Sequence, residues 1–167
     1  MKIVNSITVR KLLNVDNHSI TLPENSEHLV LVGFNGTGKS SILRALACGD
    51  NSAVEIDMTT SDANVVVWDR KAVNDTTAQL EQTKDCPTVL IIDDIEIGQD
   101  PQEQNTFLNN LTARYPNLQV IGSTHSPFVL VGAERTVAYN LDTCEIHAHL
   151  ALMGYKEIAE RVFGVAE

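Results

Sequence analysis

The chain has 167 residues, 43% of them hydrophobic and 20% charged, which suits one compact globular domain and excludes a disordered protein. Twelve basic side chains against 22 acidic ones leave a net charge of −10, which repels nucleic acid at long range and argues against direct nucleic-acid binding by this chain. No apolar run reaches the roughly 18 residues of a membrane span, the start Met1-Lys2-Ile3-Val4 lacks a signal-peptide layout, and Cys48, Cys86 and Cys144 are scattered enough to read as free thiols, so a cytoplasmic protein is expected.

In chain order, Ile3 to Val9 alternates weakly as a strand does. Asn14 to Leu22 reads as a second strand, with a turn expected at Asn14-Val15-Asp16-Asn17. After the breaker cluster Pro23-Glu24-Asn25-Ser26, the apolar run His28 to Val32 predicts a buried strand. Ser41 to Cys48 has helical spacing through Ile42, Leu43, Leu46 and Ala47, and Gly49 is a natural stop. Val54-Glu55-Ile56 and Val65 to Trp68 look like strands. Lys71 to Lys84 reads as a helix with a thin apolar face, broken by Cys86-Pro87. Thr88 to Ile92 is the most β-like run and ends at Asp93-Asp94. Asp100-Pro101 opens a helix with a cap and a proline at its first position. Leu118 to Gly122 predicts another buried strand, Thr136 to Tyr139 and Glu145 to His149 a closing pair, and Tyr155 to Phe163 a last helix. Antiparallel signals at the start and alternating strands and helices later predict an α/β fold, with a mostly parallel core sheet and an antiparallel flank, in a single domain over residues 1–167.

Gly33-x-x-x-x-Gly38-Lys39-Ser40 satisfies the P-loop pattern, between a buried strand and a helix as that motif requires. Gly36 and Gly38 let successive N–H groups turn inward toward phosphate oxygens, and the helix that follows adds its positive end. The candidate phosphate-binding residues are Asn35, Gly36, Thr37, Gly38, Lys39, Ser40 and Ser41. Lys39 can reach the β- and γ-phosphates of ATP, and the Ser40 hydroxyl is placed to bind Mg²⁺. Downstream, the strand Val89 to Ile92 delivers two carboxylates. Asp93 is the candidate Mg²⁺ ligand, usually through water, and Asp94 the carboxylate that orients an attacking water. His125, in Ser123-Thr124-His125-Ser126-Pro127 after another buried strand, can hydrogen-bond the γ-phosphate.

These segments, with Ile95-Glu96 and Asp100-Pro101 between them, resemble ABC-type ATPases, in particular the branch that contains the OLD, RecF and SMC proteins. The opening strands resemble that family's antiparallel flank, and Gly154 to Gly164 resembles the helix that closes its ATPase domain. The resemblance implies two heads that meet head to tail around ATP, as a homodimer or with a homologous ATPase or effector, and separate on hydrolysis. It also implies work in DNA repair or anti-phage defence, often beside a nuclease.

The chain departs from that pattern in two places. The serine- and glycine-rich signature before the second motif has no clear counterpart, Val73-Asn74-Asp75-Thr76-Thr77 being the nearest segment. Asp94 stands where the family usually has glutamate, one methylene longer. Slow or partner-dependent ATP hydrolysis is expected, since misplacements of about 1 Å cost on the order of a hundredfold in rate. A non-hydrolysing ATP-binding regulatory subunit, or a decoy of a larger homologue, is the alternative. A small-molecule kinase is disfavoured by the lack of an arginine-rich lid, and a GTPase by the lack of an Asn-Lys-x-Asp segment. Gln79 and Gln82 are both open as glutamine-loop residues. His147 and His149 share one face of the expected strand but have no further ligand in sequence, so a solvated strand is the better reading.

Overall fold

The computed structural model describes residues 2–12, 15–33, 38–49, 54–60 and 62–164. The chain opens with β1 (Val4–Leu12), β2 (Val15–Thr21) and β3 (His28–Val32), followed by α1 (Lys39–Cys48), β4 (Val54–Met58) and β5 (Asn64–Val67). Then come α2 (Val73–Thr83), β6 (Thr88–Ile92), α3 (Pro101–Arg114), β7 (Leu118–Ser123) and the short α4 (Pro127–Leu130). The strands β8 (Thr136–Asn140) and β9 (Glu145–His147), a 3-10 turn at Leu150–Leu152 and α5 (Tyr155–Arg161) close the described fold.

The main sheet has the order β5-β6-β7-β3-β8-β9. Its first five strands are parallel and β9 runs antiparallel to β8. β1, β2 and β4 form a separate antiparallel sheet with β1 in the middle. β3, β6 and β7 are buried along their whole length because both faces of the main sheet are covered, which is why they read as unbroken apolar runs. Leu29 and Leu31 face α1 (Ile42, Leu43, Leu46) and the antiparallel flank (Ile7, Ile20). Val30 and Val32 face the opposite core, built from Leu80 of α2, Leu108 of α3, Val129 and Leu130 of α4 and Ile158 of α5. The result is the α/β architecture, with a mostly parallel core sheet and an antiparallel flank, that the alternating pattern predicts.

Several expected boundaries move, and three of the changes bear on how the chain turns. Leu12 pairs with Val15 and Lys11 with Asp16, so Val15 to Asn17 belong to β2 and the connection is residues 13 and 14, outside the described residues. The helix expected from Lys71 starts at Val73, because residues 69–72 form a turn in which Ala72 N–H donates to Asp69 O at 3.1 Å. The last strand stops at His147. His149 lies outside it with φ 60°, as the residue that opens the 3-10 turn, so the two histidines do not share a strand face.

Gln119 fastens the flank to the main sheet. It is fully buried on β7, and its Oε1 accepts from the N–H groups of Ile3 (2.9 Å) and Val4 (2.6 Å). Its Nε2 donates to Val4 O (2.9 Å) and Glu27 O (2.7 Å), so every polar atom of a buried amide is used.

Candidate functional site

β3, β6 and β7 all end at the carboxyl edge of the parallel sheet, where open α/β sheets bind their ligands. Three loops meet there. The loop after β3 begins at Gly33 (φ 149°) and ends at Gly38 (φ 98°, ψ 14°), both in backbone regions that favour glycine. Asn35, Gly36 and Thr37 lie outside the described residues. Lys39 opens α1, is 5% exposed, and its Nζ donates to Gly33 O at 2.6 Å, closing the loop end to end. Burial pulls the Lys39 ammonium below its ordinary pKa, while Asp142, Asp94, Asp93 and Glu96 push it back up. Ser40 and Ser41 follow in the first turn of α1, Ser40 exposed and Ser41 half-buried.

Asp93 joins the three loops. Its Oδ2 accepts from Ser40 Oγ at 2.7 Å and its Oδ1 from Ser123 Oγ at 2.6 Å. The Ser123 oxygen in turn accepts from Asp94 N–H at 2.9 Å. Ile95 N–H donates to Ser123 O at 2.9 Å, so the turn after β6 is tied to the end of β7 through both backbone and side chain. Gly122 makes this approach possible. A Cβ there would lie 2.7 Å from Ile92 O and 2.9 Å from Ile95 Cδ1.

Asp94 has φ 51°, an uncommon conformation for a side-chain-bearing residue that Asp tolerates better than most. Its Oδ1 lies 3.5 Å from His125 Nε2. Partial burial raises the Asp94 carboxyl above its ordinary pKa, Asp93 and Glu96 add to the rise, and His125 and Arg70 oppose it. Glu96 holds the third loop in place, accepting from Thr124 Oγ1 (2.7 Å) and from His125 N–H (3.1 Å). Thr124 Oγ1 also accepts from Ser126 N–H at 3.0 Å.

The fold therefore brings Lys39, Ser40, Asp93, Asp94 and His125 to one sheet edge. It leaves the signature and glutamine-loop candidates elsewhere. Val73 to Thr77 form the start of α2, beside the edge strand β5, and Gln79 and Gln82 are exposed on that helix. Ser123, Glu96 and Asp142 were not singled out by sequence. Ser123 and Glu96 sit inside the motif segments, but only the cross-loop contacts reveal what they bind. Asp142 faces Lys39 because Leu141 N–H donates to Val32 O at 2.9 Å, which aligns the end of β8 with the start of the loop.

A hydroxyl and a carboxylate meeting at 2.7 Å form a donor set that fits Mg²⁺, which takes one or two protein oxygens and completes its octahedron with phosphate oxygens and water. Among the described residues no group of three or more His, Cys, Asp and Glu side chains could hold a metal by itself.

The model of the ATPase family associated with various cellular activities (AAA) matches residues 29–138, from β3 into β8. The chain belongs to this family. The match spans the segments that carry Lys39, Asp93 and His125, and it makes the chain a P-loop ATPase-family protein with a nucleotide as its ligand. No curated protein matches the sequence. Similar solved structures include the ADP conformation of an ATP-binding cassette of an ABC transporter, with TM-score 0.56, 14% identity, and coverage of 96% of this chain and 94% of that one. A nucleotide-free ATP-binding cassette from an ABC transporter has TM-score 0.57 and 13% identity over 89% of this chain and 90% of that one. A bacterial Atm1-family ABC exporter with ATP bound has TM-score 0.58 and 15% identity; this chain is covered in full but spans only 43% of the exporter. At these identities the likeness is one of fold, and the fold is that of ABC ATP-binding cassettes. Among the described residues no helix is long and apolar enough to cross a membrane.

Proposed function

We propose that residues 1–167 form one ATP-binding domain that hydrolyses ATP slowly and acts as an ABC-type head, through nucleotide-dependent dimerisation or docking to a homologous partner. The observation that carries this reading is the bridge from Ser40 through Asp93 to Ser123, which ties the phosphate loop to the loop that holds His125. In this reading the backbone of Asn35 to Ser41 cradles the phosphates and Lys39 turns from Gly33 O toward the β- and γ-phosphates. Ser40 and Asp93 hold Mg²⁺, which supplies neutralisation of phosphate charge. Asp94 orients the attacking water and takes up its proton, a role suited to a carboxylate whose pKa is raised by burial. His125, with its backbone N–H held by Glu96, reads the γ-phosphate.

The resemblance to the OLD, RecF and SMC branch supports DNA repair or anti-phage defence as the setting, with any cutting done by another polypeptide. A second reading, an ATP-binding regulatory subunit without hydrolysis, draws support from α2, whose first turn at Val73 to Thr77 carries no serine–glycine pair to complete a second head.

The deciding experiment is ATP turnover by the purified chain over a range of protein concentrations, with Lys39→Ala as the blank. Turnover per molecule that rises with concentration supports a self-assembling ATPase. Turnover equal to the blank, with ATP still bound, favours the regulatory reading.

A further inference from the structure

The loop between β5 and α2 has no assigned role, yet it is built with care. β5 pairs with β6 in parallel, Val67 opposite Ile91, and Trp68 N–H continues the ladder by donating to Ile91 O at 2.8 Å. The Trp68 ring packs edge-on against Phe107 of α3, with ring centroids 5.6 Å apart. Beyond it, Asp69 Oδ1 accepts from Lys71 N–H (2.9 Å), Asp69 O accepts from Ala72 N–H (3.1 Å), and Asp69 N–H donates to the buried Thr76 hydroxyl (3.2 Å). This turn is held at both ends and presents Arg70 at its tip.

Arg70 is exposed, and among the described residues its guanidinium makes no hydrogen bond or ion pair. Because Val67 is level with Ile91 on the neighbouring parallel strand, Arg70 lies at the same carboxyl edge of the sheet as Asp94, one strand over, and its charge opposes the rise in that carboxyl's pKa. The site otherwise gathers negative charge, since Asp93, Asp94, Glu96 and Asp142 all act on Lys39. A polyphosphate entering such a site needs cations on its γ side, where charge spreads over the equatorial oxygens during transfer. The guanidinium fork suits that position better than a point charge does.

We propose that Arg70 is a γ-phosphate-binding residue supplied by the chain itself, completing from the β5–α2 loop a site that lacks a recognisable partner-binding signature. This rests on the reading of the site as an ATP site. Nothing in a chemical step is added by Arg70; it neutralises charge and positions the terminal phosphate.

The test compares wild type, Arg70→Ala, Arg70→Lys and, as a surface control, Lys71→Ala. Affinity for ATP and for ADP is measured by displacement of a fluorescent nucleotide, and hydrolysis under single-turnover conditions. Arg70→Ala is expected to weaken ATP by about tenfold while changing ADP by less than about twofold, as loss of one charge-assisted contact to the γ-phosphate implies. Single-turnover hydrolysis is expected to fall by at least about tenfold, with Arg70→Lys in between and Lys71→Ala unchanged. Equal effects on ATP and ADP, or no effect on either, overturn the assignment while leaving the ATP site intact. If wild type binds ATP without hydrolysing it, the ATP-to-ADP ratio alone decides. Wild type that binds neither nucleotide overturns the underlying site reading, and the assignment with it.

Discussion

Ser40 Oγ donates to Asp93 Oδ2 at 2.7 Å although the two residues are 53 positions apart in the chain. The other carboxylate oxygen of Asp93 takes the Ser123 hydroxyl, so one side chain spans the loops after β3, β6 and β7. The site is thus a coupled unit, and its members should fail together.

Ser123 is the least obvious member. It is fully buried and its removal leaves Asp93 Oδ1 without that donor and Asp94 N–H without an acceptor. Ser123→Ala should lower folding stability by about 1–3 kcal/mol, read from the urea midpoint, and reduce ATP turnover by about tenfold or more at saturating ATP. A variant with unchanged midpoint and unchanged kcat would show that the Ser123 hydroxyl carries neither load.

Asp94 predicts a pH signature. Its pKa is raised, and only the ionised carboxylate can accept a proton, so turnover should fall on the acid side, beginning at higher pH than an ordinary aspartate would give. Asp94→Asn should lower kcat sharply and remove that acid limb while leaving ATP affinity nearly unchanged. Rate against pH for the two proteins checks this; an acid limb that survives in Asp94→Asn belongs to another group.

His28 makes stability pH-dependent independently of the site. It is 2% exposed, its Nδ1 accepts from Val120 N–H at 3.0 Å, and burial lowers its pKa from 6.5 to about 4. The folded state therefore binds fewer protons than the unfolded state between those values. The stabilisation is complete above pH 6.5 and is lost as pH falls toward about 4. Between pH 7 and pH 5 this group alone should remove about 2 kcal/mol. Denaturant titrations at the two pH values, with His28→Gln as reference, should show a smaller loss in the variant; equal losses would assign the pH dependence elsewhere.

Gln119→Leu should loosen the antiparallel flank. The change strips four hydrogen bonds from backbone groups at Ile3, Val4 and Glu27, three of them buried, at a penalty of about 2–4 kcal/mol. Amide exchange should rise in β1 before it rises in β3, whereas uniform exchange across both sheets would mean the flank and core open as one.

Much of the fold was legible because the parallel strands are buried on both faces. His28–Val32 and Thr88–Ile92 read directly as apolar runs with the same limits that the structure shows. That Lys39, Asp93, Asp94 and His125 would meet at one sheet edge was legible because each follows a parallel strand. Ser123, Glu96, Asp142 and Gln119 were not, because what they do is decided by neighbours across the sheet. A glutamine in an apolar strand gives no sign of the two backbone segments it will serve. The short turn before α2 was hidden for a different reason: Lys71 and Ala72 fit a helix as well as a turn, and only the Asp69 hydrogen bonds choose.

The central claim is that Lys39 and the Ser40–Asp93 pair hold Mg²⁺–ATP, and calorimetric titration of ATP tests it most directly. Wild type should bind ATP in the presence of Mg²⁺, more weakly with the metal chelated, and Lys39→Ala should bind about tenfold to a hundredfold less tightly. Equal binding by wild type and a folded Lys39→Ala, with or without Mg²⁺, would contradict it.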